Sequence, residues 1–283
     1  MAEGPGPGAV GIDPSVRPDH RKRSPVIALA AVAALSAAIA AGAAAFNAPA
    51  PPAPLVALGA PKFIAEASSA GLDHTYDGGF EYSVGGGVAV FDCNGDGRPD
   101  LYLAGGRNTA ALFRNDSPTG GALRFTRVPA SSTDLTNITG AYPIDIDGDG
   151  ITDLVVLRNG ENVLLRGLGG CGFARANETW SFGGGSSATT AFSATWEAGT
   201  TLPTLAFGNY VDPKSNDPHH LCFDNELVRP APTGAGYAPA TPLTPSWCAL
   251  SMLFSDWNRS GHSDLRVSND QHYYLLTEGQ EQL

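Results

Sequence analysis

The sequence predicts an all-β fold built from repeated units, and three observations support this. Acid-rich loops recur along the chain, each between two short apolar runs such as GVAVF (87–91) and DLVVL (153–157). Such runs, rich in aliphatic and β-branched residues and bounded by glycine, are typical of strands. The loops are also periodic, since 53 residues separate Asp92 from Asp145. Several short strands in each unit of that length indicate a β-propeller or a related array.

The loops share the pattern D-x-[DN]-x-[DS]-G-x-x-D-L, which occurs at 92–101, 145–154 and 256–265. A side-chain oxygen stands at every second residue, and two carboxylates about 4 Å apart repel by roughly 4 kcal/mol at an effective dielectric constant near 20. A hard divalent cation removes this cost, and Ca2+ takes about six to eight oxygen ligands. The glycine at position 6 allows a sharp turn. The pattern therefore predicts three calcium sites, in the 92-loop, the 145-loop and the 256-loop.

The predicted calcium ligands are oxygens at positions 1, 3, 5, 7 and 9 of each loop, with a main-chain carbonyl at position 7. In the 92-loop they belong to Asp92, Asn94, Asp96, Arg98 and Asp100. In the 145-loop they belong to Asp145, Asp147, Asp149, Ile151 and Asp153. In the 256-loop they belong to Asp256, Asn258, Ser260, His262 and Asp264. Counting carboxylates, we expect the 145-loop to bind calcium most tightly and the 256-loop most weakly.

An EF-hand begins with the same spacing, but its last positions differ. It requires a bidentate Glu at position 12 and a helix on each side of the loop. Position 12 is occupied here by Leu103, Val156 and Val267. The flanking segments are also patterned as strands rather than helices. The sequence therefore argues against an EF-hand.

One unit lacks the loop pattern. From Asp145 to Asp256 is 111 residues, about two periods, so a further unit is expected near residue 205, at LAFGNYVDP (205–213). This segment has an apolar run and a glycine, but Asn209, Val211 and Pro213 do not supply a ligand set. We interpret it as a blade whose calcium loop has degenerated.

Two units also end alike, as an apolar strand, an Arg, a glycine-containing turn and a second strand, in the segments 111–128 and 163–177. These repeats of loop and strands resemble the FG-GAP/VCBS repeats of integrin α-type β-propellers, and bacterial relatives of cartilage acidic protein are the most similar group. The resemblance covers residues 62–283. It implies a β-propeller with structural calcium, in secreted or surface proteins that are often linked to adhesion.

The length of the repeat region limits the number of units. Residues 62–283 have room for about four units of the observed period, and the last unit stops where the earlier ones continue into another turn and strand. We therefore expect about four blades and an incomplete propeller, completed by a missing C-terminal part or by a second chain.

The N-terminal region predicts export. Residues 1–24 are a Gly/Pro-rich tail that ends in a basic cluster, and residues 25–46 are uncharged and almost wholly apolar. About 20 such residues can span a bilayer with the basic side inside. A signal anchor and a cleaved signal peptide both fit, and a Pro/Ala linker follows at 47–61. The chain after residue 46 is expected to be periplasmic, on the cell surface or secreted. If the apolar segment is not cleaved, it would serve as a single-pass membrane anchor.

The net charge and the cysteines indicate which partners and which compartment suit the protein. The net charge of −11 comes largely from the loops, which hold nine of the 28 acids, and no basic stripe exists outside the tail, which argues against a nucleic-acid partner. The four cysteines form no C-x-x-C pair, and an exported domain favours disulfides. Cys222 and Cys248 are closest in sequence and are the preferred pair.

We find no convincing catalytic site, and a non-catalytic role is preferred over an enzymatic one. His219 and His220 lie beside Asp217, but a polar loop is the preferred interpretation. Four tryptophans are capable of stacking on sugars, although packing within the blades is preferred for each. The sequence therefore favours a calcium-stabilised binding or adhesion module with a protein or glycan ligand. The alternative is a calcium-dependent carbohydrate-active enzyme, a lyase or hydrolase, on the same scaffold.

Overall fold

The computed structural model describes residues 60–216, 221–270 and 280–282. The tail, the apolar segment 25–46 and the linker up to residue 59 lie outside the described residues, as do His219 and His220. The chain divides into two units, Met1–Lys62 and Phe63–Leu283, and every described strand belongs to the second. Within the described ranges, no helix is long and apolar enough to cross a membrane.

The described part of the second unit is built of strands, with one 3-10 turn at Phe80–Tyr82. The strands are β1 (Val88–Phe91), β2 (Asp100–Leu103), β3 (Ala111–Asn115), β4 (Phe125–Arg127), β5 (Ile138–Ile144), β6 (Asp153–Arg158), β7 (Val163–Gly169), β8 (Gly172–Arg175), β9 (Thr189–Thr195), β10 (Thr204–Asn209), β11 (Asn225–Val228), β12 (Thr241–Leu243), β13 (Ala249–Ser255) and β14 (Asp264–Asn269). The predicted all-β fold is confirmed.

These strands form four antiparallel sheets in which each strand pairs with the next one along the chain. Sheet 1 contains β1–β4, sheet 2 contains β5–β8, sheet 3 contains β9–β12, and the described part of sheet 4 is the hairpin β13–β14. A four-stranded up-and-down sheet is the form of a propeller blade. The number of repeated units is therefore as the period predicted, while closure into a ring stays a prediction.

The core lies between consecutive sheets, and β6 shows how. Leu154 and Val156 pack between sheets 1 and 2, whereas Val155 and Leu157 pack between sheets 2 and 3. Because successive strand residues point to opposite faces, a strand buried on both faces has no polar positions. This explains why residues 154–157 of β6, LVVL, are a continuous apolar run. Sheets 3 and 4 enclose a further cluster that includes Met252.

Two disulfides tie the sheets together. Cys222–Cys248, the predicted pair, is confirmed and joins the β10–β11 connection to the start of β13. Cys93–Cys171 joins the 92-loop to the turn between β7 and β8 in the next sheet. Sequence reasoning missed this second pair because 78 residues separate the two cysteines.

Candidate metal-binding loops

Each acid-rich loop connects the first strand of a sheet to the second, and each is eight residues long. The 92-loop occupies 92–99, the 145-loop 145–152 and the 256-loop 256–263. The Asp at position 9 begins the second strand and pairs with the last residue of the first strand, as in Asp100 with Phe91 and Asp153 with Ile144. The three loops are therefore equivalent in the sheets as well as in sequence.

The Asp at position 1 organises the loop backbone. Asp92 Oδ1 accepts a hydrogen bond from Gly95 N at 2.8 Å and Oδ2 accepts one from Gly97 N at 2.7 Å. The hydrogen bond from Gly97 and the other main-chain donors lower the pKa of Asp92. Asp256 is bound in the same way by Ser260 N and Gly261 N, at 2.7 and 2.8 Å.

The glycine at position 6 has a left-handed backbone in all three loops, with φ of +79° at Gly97, +81° at Gly150 and +85° at Gly261. A side chain there would be strained. The predicted sharp turn is confirmed.

The 145-loop brings its first three acids together. Asp145, Asp147 and Asp149 each offer a carboxylate oxygen, and these oxygens lie within 4.8 Å of one another. Arg166 of β7 donates from Nε to Asp147 Oδ2 and from Nη2 to Asp149 Oδ2, both at 2.7 Å. Ile151 N donates to Asp149 Oδ1 at 2.8 Å. The guanidinium thus orients two predicted ligands from the third strand of the sheet, as an outer partner orients metal ligands.

The 92-loop has a different internal counter-charge. Arg98, at position 7, forms an ion pair with Asp96 from the same loop, and its Nε donates to Asn115 O at 3.0 Å. Asn94 Nδ2 also donates to Asp96, at 2.8 Å. The arginine of the third strand, Arg114, pairs instead with Asp116. The loop therefore holds Asn94 and Asp96 together with a cation of its own.

The acids at position 9 are fully buried in sheets 1 and 2 and tie the loops to the sheets. Asp153 Oδ2 accepts from Ile146 N and Oδ1 from Gly167 N, both at 2.8 Å. Asp100 accepts in the same way from Cys93 N and Asn115 N. Burial raises the pKa of Asp153 to about 6. Each of these oxygens keeps a second lone pair, so the role of both acids as metal ligands stays a prediction.

The 256-loop has fewer charges. Asn258 Oδ1 accepts from Ser260 N at 3.0 Å, and His262 N donates to Ser260 Oγ at 3.3 Å. At position 9, Asp264 Oδ2 is buried and has no hydrogen-bond partner among the described residues. A buried carboxylate oxygen without a partner is costly, and a cation would satisfy it.

The degenerate loop lies elsewhere than predicted. Asn209, Val211 and Pro213 stand at and after the end of β10, whereas the connection equivalent to the other loops is 196–203, between β9 and β10. This 196-loop is also eight residues long. Trp196 and Ala198 stand at positions 1 and 3, where the other loops have Asp or Asn. The apolar run was correctly recognised, but it is the second strand of the sheet rather than the strand before the loop.

Among the described residues, one further group of side chains has the spacing of metal ligands. Cys93 and Cys171 approach Asp100, but both sulfurs are in a disulfide and supply no thiolate ligand.

For the tryptophans, packing within the blades was the preferred role, and it holds for Trp180, which is buried. It is wrong for Trp196 and Trp257, which are 52% and 63% exposed.

The comparison with known proteins agrees with this geometry. Residues 92–156 match the family model of the FG-GAP-like repeat. The matched segment runs from the start of the 92-loop through the 145-loop into β6. No curated protein sequence matches the chain. The match supports an FG-GAP repeat domain and, with it, a β-propeller-like binding module, while the likeness to relatives of cartilage acidic protein stays a prediction.

Proposed function

We propose that this protein is an exported β-propeller-like module that binds a protein or glycan and is stabilised by structural calcium. The observation that carries the proposal is the convergence of Asp145, Asp147 and Asp149 in a loop whose length and turn recur in two other sheets. Three acids held this close repel one another, and the single charge of Arg166, which pairs with Asp147 and Asp149, offsets this repulsion only in part.

The donor set fits calcium rather than a softer metal. All side chains proposed as ligands offer oxygen, which suits hard cations such as Ca2+ and Mg2+. Asp145, Asp147 and Asp149 would hold the ion in the 145-loop, with Asp92 and Asp256 in the equivalent places of the other two loops. Calcium would add positive charge to turns in which acids outnumber their arginine partners, and so favour the folded sheets.

Exposed aromatic side chains on neighbouring loops support a binding role. Trp196 begins the 196-loop and Trp257 is the second residue of the 256-loop. The two sheets are joined beside these loops, where Thr195 Oγ1 donates to Ser263 Oγ at 3.2 Å. Aromatic rings of this exposure suit a protein or carbohydrate partner.

The disulfides support export. Both Cys93–Cys171 and Cys222–Cys248 are of a kind that persists in oxidising compartments, such as the periplasm or the cell exterior. The apolar segment 25–46, outside the described residues, would direct the chain there.

Calorimetric titration of the full chain with Ca2+ tests the proposal. We expect saturable binding that the triple variant Asp145→Asn, Asp147→Asn, Asp149→Asn reduces by one site. Replacing Asp73, Asp77 and Asp212, which lie outside the loops, by Asn removes the same charge and should leave the number of sites unchanged. Absence of calcium binding by the folded protein would refute the proposal.

A further inference from the structure

A cavity of about 500 Å³ lies beside sheet 3, and none of its described lining residues belongs to the calcium loops. Its walls include the glycine run 183–185, the apolar side chains of Phe182, Val228 and Pro239, and the carboxylate of Glu226 on β11. Glu226 is the one charged group among the described residues of the wall. A cavity of this size and largely apolar lining is typical of ligand sites.

Glu226 is held in this wall without a counter-charge. It has no hydrogen bond or ion pair among the described residues, and burial raises the pKa of its carboxyl. Arg175, whose side chain lines the adjoining cavity, is already paired with Glu161. Placing a carboxylate where water is partly excluded costs stability, unless a ligand uses the charge.

The Glu226 side chain is only partly buried, and it shares the cavity wall with the glycine run. A Cβ on Gly185 would come within 3.1 Å of Glu226 Oε2 and 3.3 Å of Oε1. Gly185 therefore lies directly against the carboxylate, and a side chain there would require Glu226 to shift. Nearby, the rings of Phe182 and Tyr237 pack edge to face, with centroids 6.3 Å apart, and give the cavity an aromatic wall.

We propose that this cavity binds an organic cation, an ammonium or guanidinium group carried on an apolar chain, with Glu226 as its counter-ion. The carboxylate supplies the charge, and the apolar wall contacts the aliphatic chain. A lysine side chain and a free alkylamine share this chemistry. The proposal does not depend on calcium in the loops.

Titration of the full chain, followed by NMR, with pentylammonium, N-acetyl-lysine methylamide and pentanol tests the proposal. We expect the cations to bind and Glu226→Gln to weaken them about tenfold or more, the value of a charged hydrogen bond. Pentanol should bind weakly and equally to both proteins. Stronger binding of pentylammonium would indicate a free amine as the natural ligand, and stronger binding of the lysine derivative would indicate a peptide; either supports the cation site.

Glu178→Gln is the matched control, because Glu178 is exposed on the adjoining surface and does not line this cavity. It removes the same charge and should change the affinity less than twofold. Glu226→Gln should also raise the melting temperature of the ligand-free protein, since it removes a partly buried charge that has no counter-charge. The proposal is overturned if pentanol binds as well as pentylammonium, if Glu226→Gln leaves the affinity for cations unchanged, or if it lowers the melting temperature.

Discussion

Arg229 Nε donates to Glu197 Oε1 at 3.0 Å. Arg229 directly follows β11, and Glu197 is the second residue of the 196-loop, which lacks the calcium pattern. The same oxygen accepts from Thr204 Oγ1 at 2.7 Å, and this bond, followed by the pair with Arg229, lowers the pKa of Glu197. Thr204 stands at position 9, where the other loops have Asp. The 196-loop is thus closed by a side-chain cation.

The arginine occupies the same place in two sheets. Arg166 follows Leu165, which pairs with Leu154, and Arg229 follows Val228, which pairs with Leu205. In both sheets the guanidinium reaches acids in the loop between the first two strands. In the 145-loop the guanidinium of Arg166 pairs with two of the three acids that lie close together. In the 196-loop the guanidinium of Arg229 pairs with a single acid, Glu197. Of the two arginines noted in the sequence, Arg166 therefore serves its loop, whereas Arg114 has the same register position but pairs with Asp116.

Arg229→Gln should lower stability equally in calcium and in chelator, because no metal is expected in the 196-loop. The pair is about half exposed, so the loss should be at most about 1 kcal/mol. Chemical denaturation under both conditions measures it. Arg166→Gln is the comparison, and its effect should differ between the two conditions. A calcium-dependent effect of Arg229→Gln would show that the 196-loop binds metal.

Calcium should raise the melting temperature of the protein because it binds to the loops of the folded state. A ligand that binds only the folded state adds about 2.7 kcal/mol at a concentration of one hundred times its Kd. Asp147→Ala should remove most of one such contribution, while Asp77→Ala, an exposed acid outside the loops, should remove little. Differential scanning calorimetry with calcium and with chelator decides this. Identical melting curves in the two solutions would exclude a structural role for the ion.

The three loops should differ in affinity. The 145-loop has four carboxylates at its predicted ligand positions, the 92-loop three and the 256-loop two, and affinity follows charge count. Calorimetric titration of Asp145→Ala, Asp92→Ala and Asp256→Ala should show loss of the tightest, the intermediate and the weakest site in that order. Loss of the tightest site from Asp256→Ala would contradict the ranking.

Removing the Cys93–Cys171 disulfide should cost more than removing Cys222–Cys248. The first closes a separation of 78 residues and the second one of 26. The chain-entropy relation gives about 4.5 and about 3.5 kcal/mol. Paired Cys→Ala variants, unfolded by denaturant in calcium, test the order. The first pair also anchors the 92-loop, so its loss should weaken calcium binding there, whereas loss of the second pair should not.

The sequence by itself determined the features that depend on near neighbours. The spacing of Asp145, Asp147 and Asp149 predicts the loop. The turn has a left-handed Gly150, whose N–H donates to Asp145 five residues earlier, so a short stretch of sequence contains everything that closes it. The apolar runs predict the strands for the same reason, since each strand pairs with the next along the chain. Period and loop pattern together were enough for the all-β array.

The tertiary structure alone decided which distant residues meet. The Cys93–Cys171 pair, the arginines that reach the loops and the uncompensated Glu226 all depend on how one strand lies against another. The position of the 196-loop was also decided there. Without Asp at positions 1 and 9 and Gly at position 6 to mark it, the loop is recognised by strand register, because Thr204 pairs with Thr195 as Asp153 pairs with Ile144. Register is set by packing of whole sheets, which no short stretch of sequence contains.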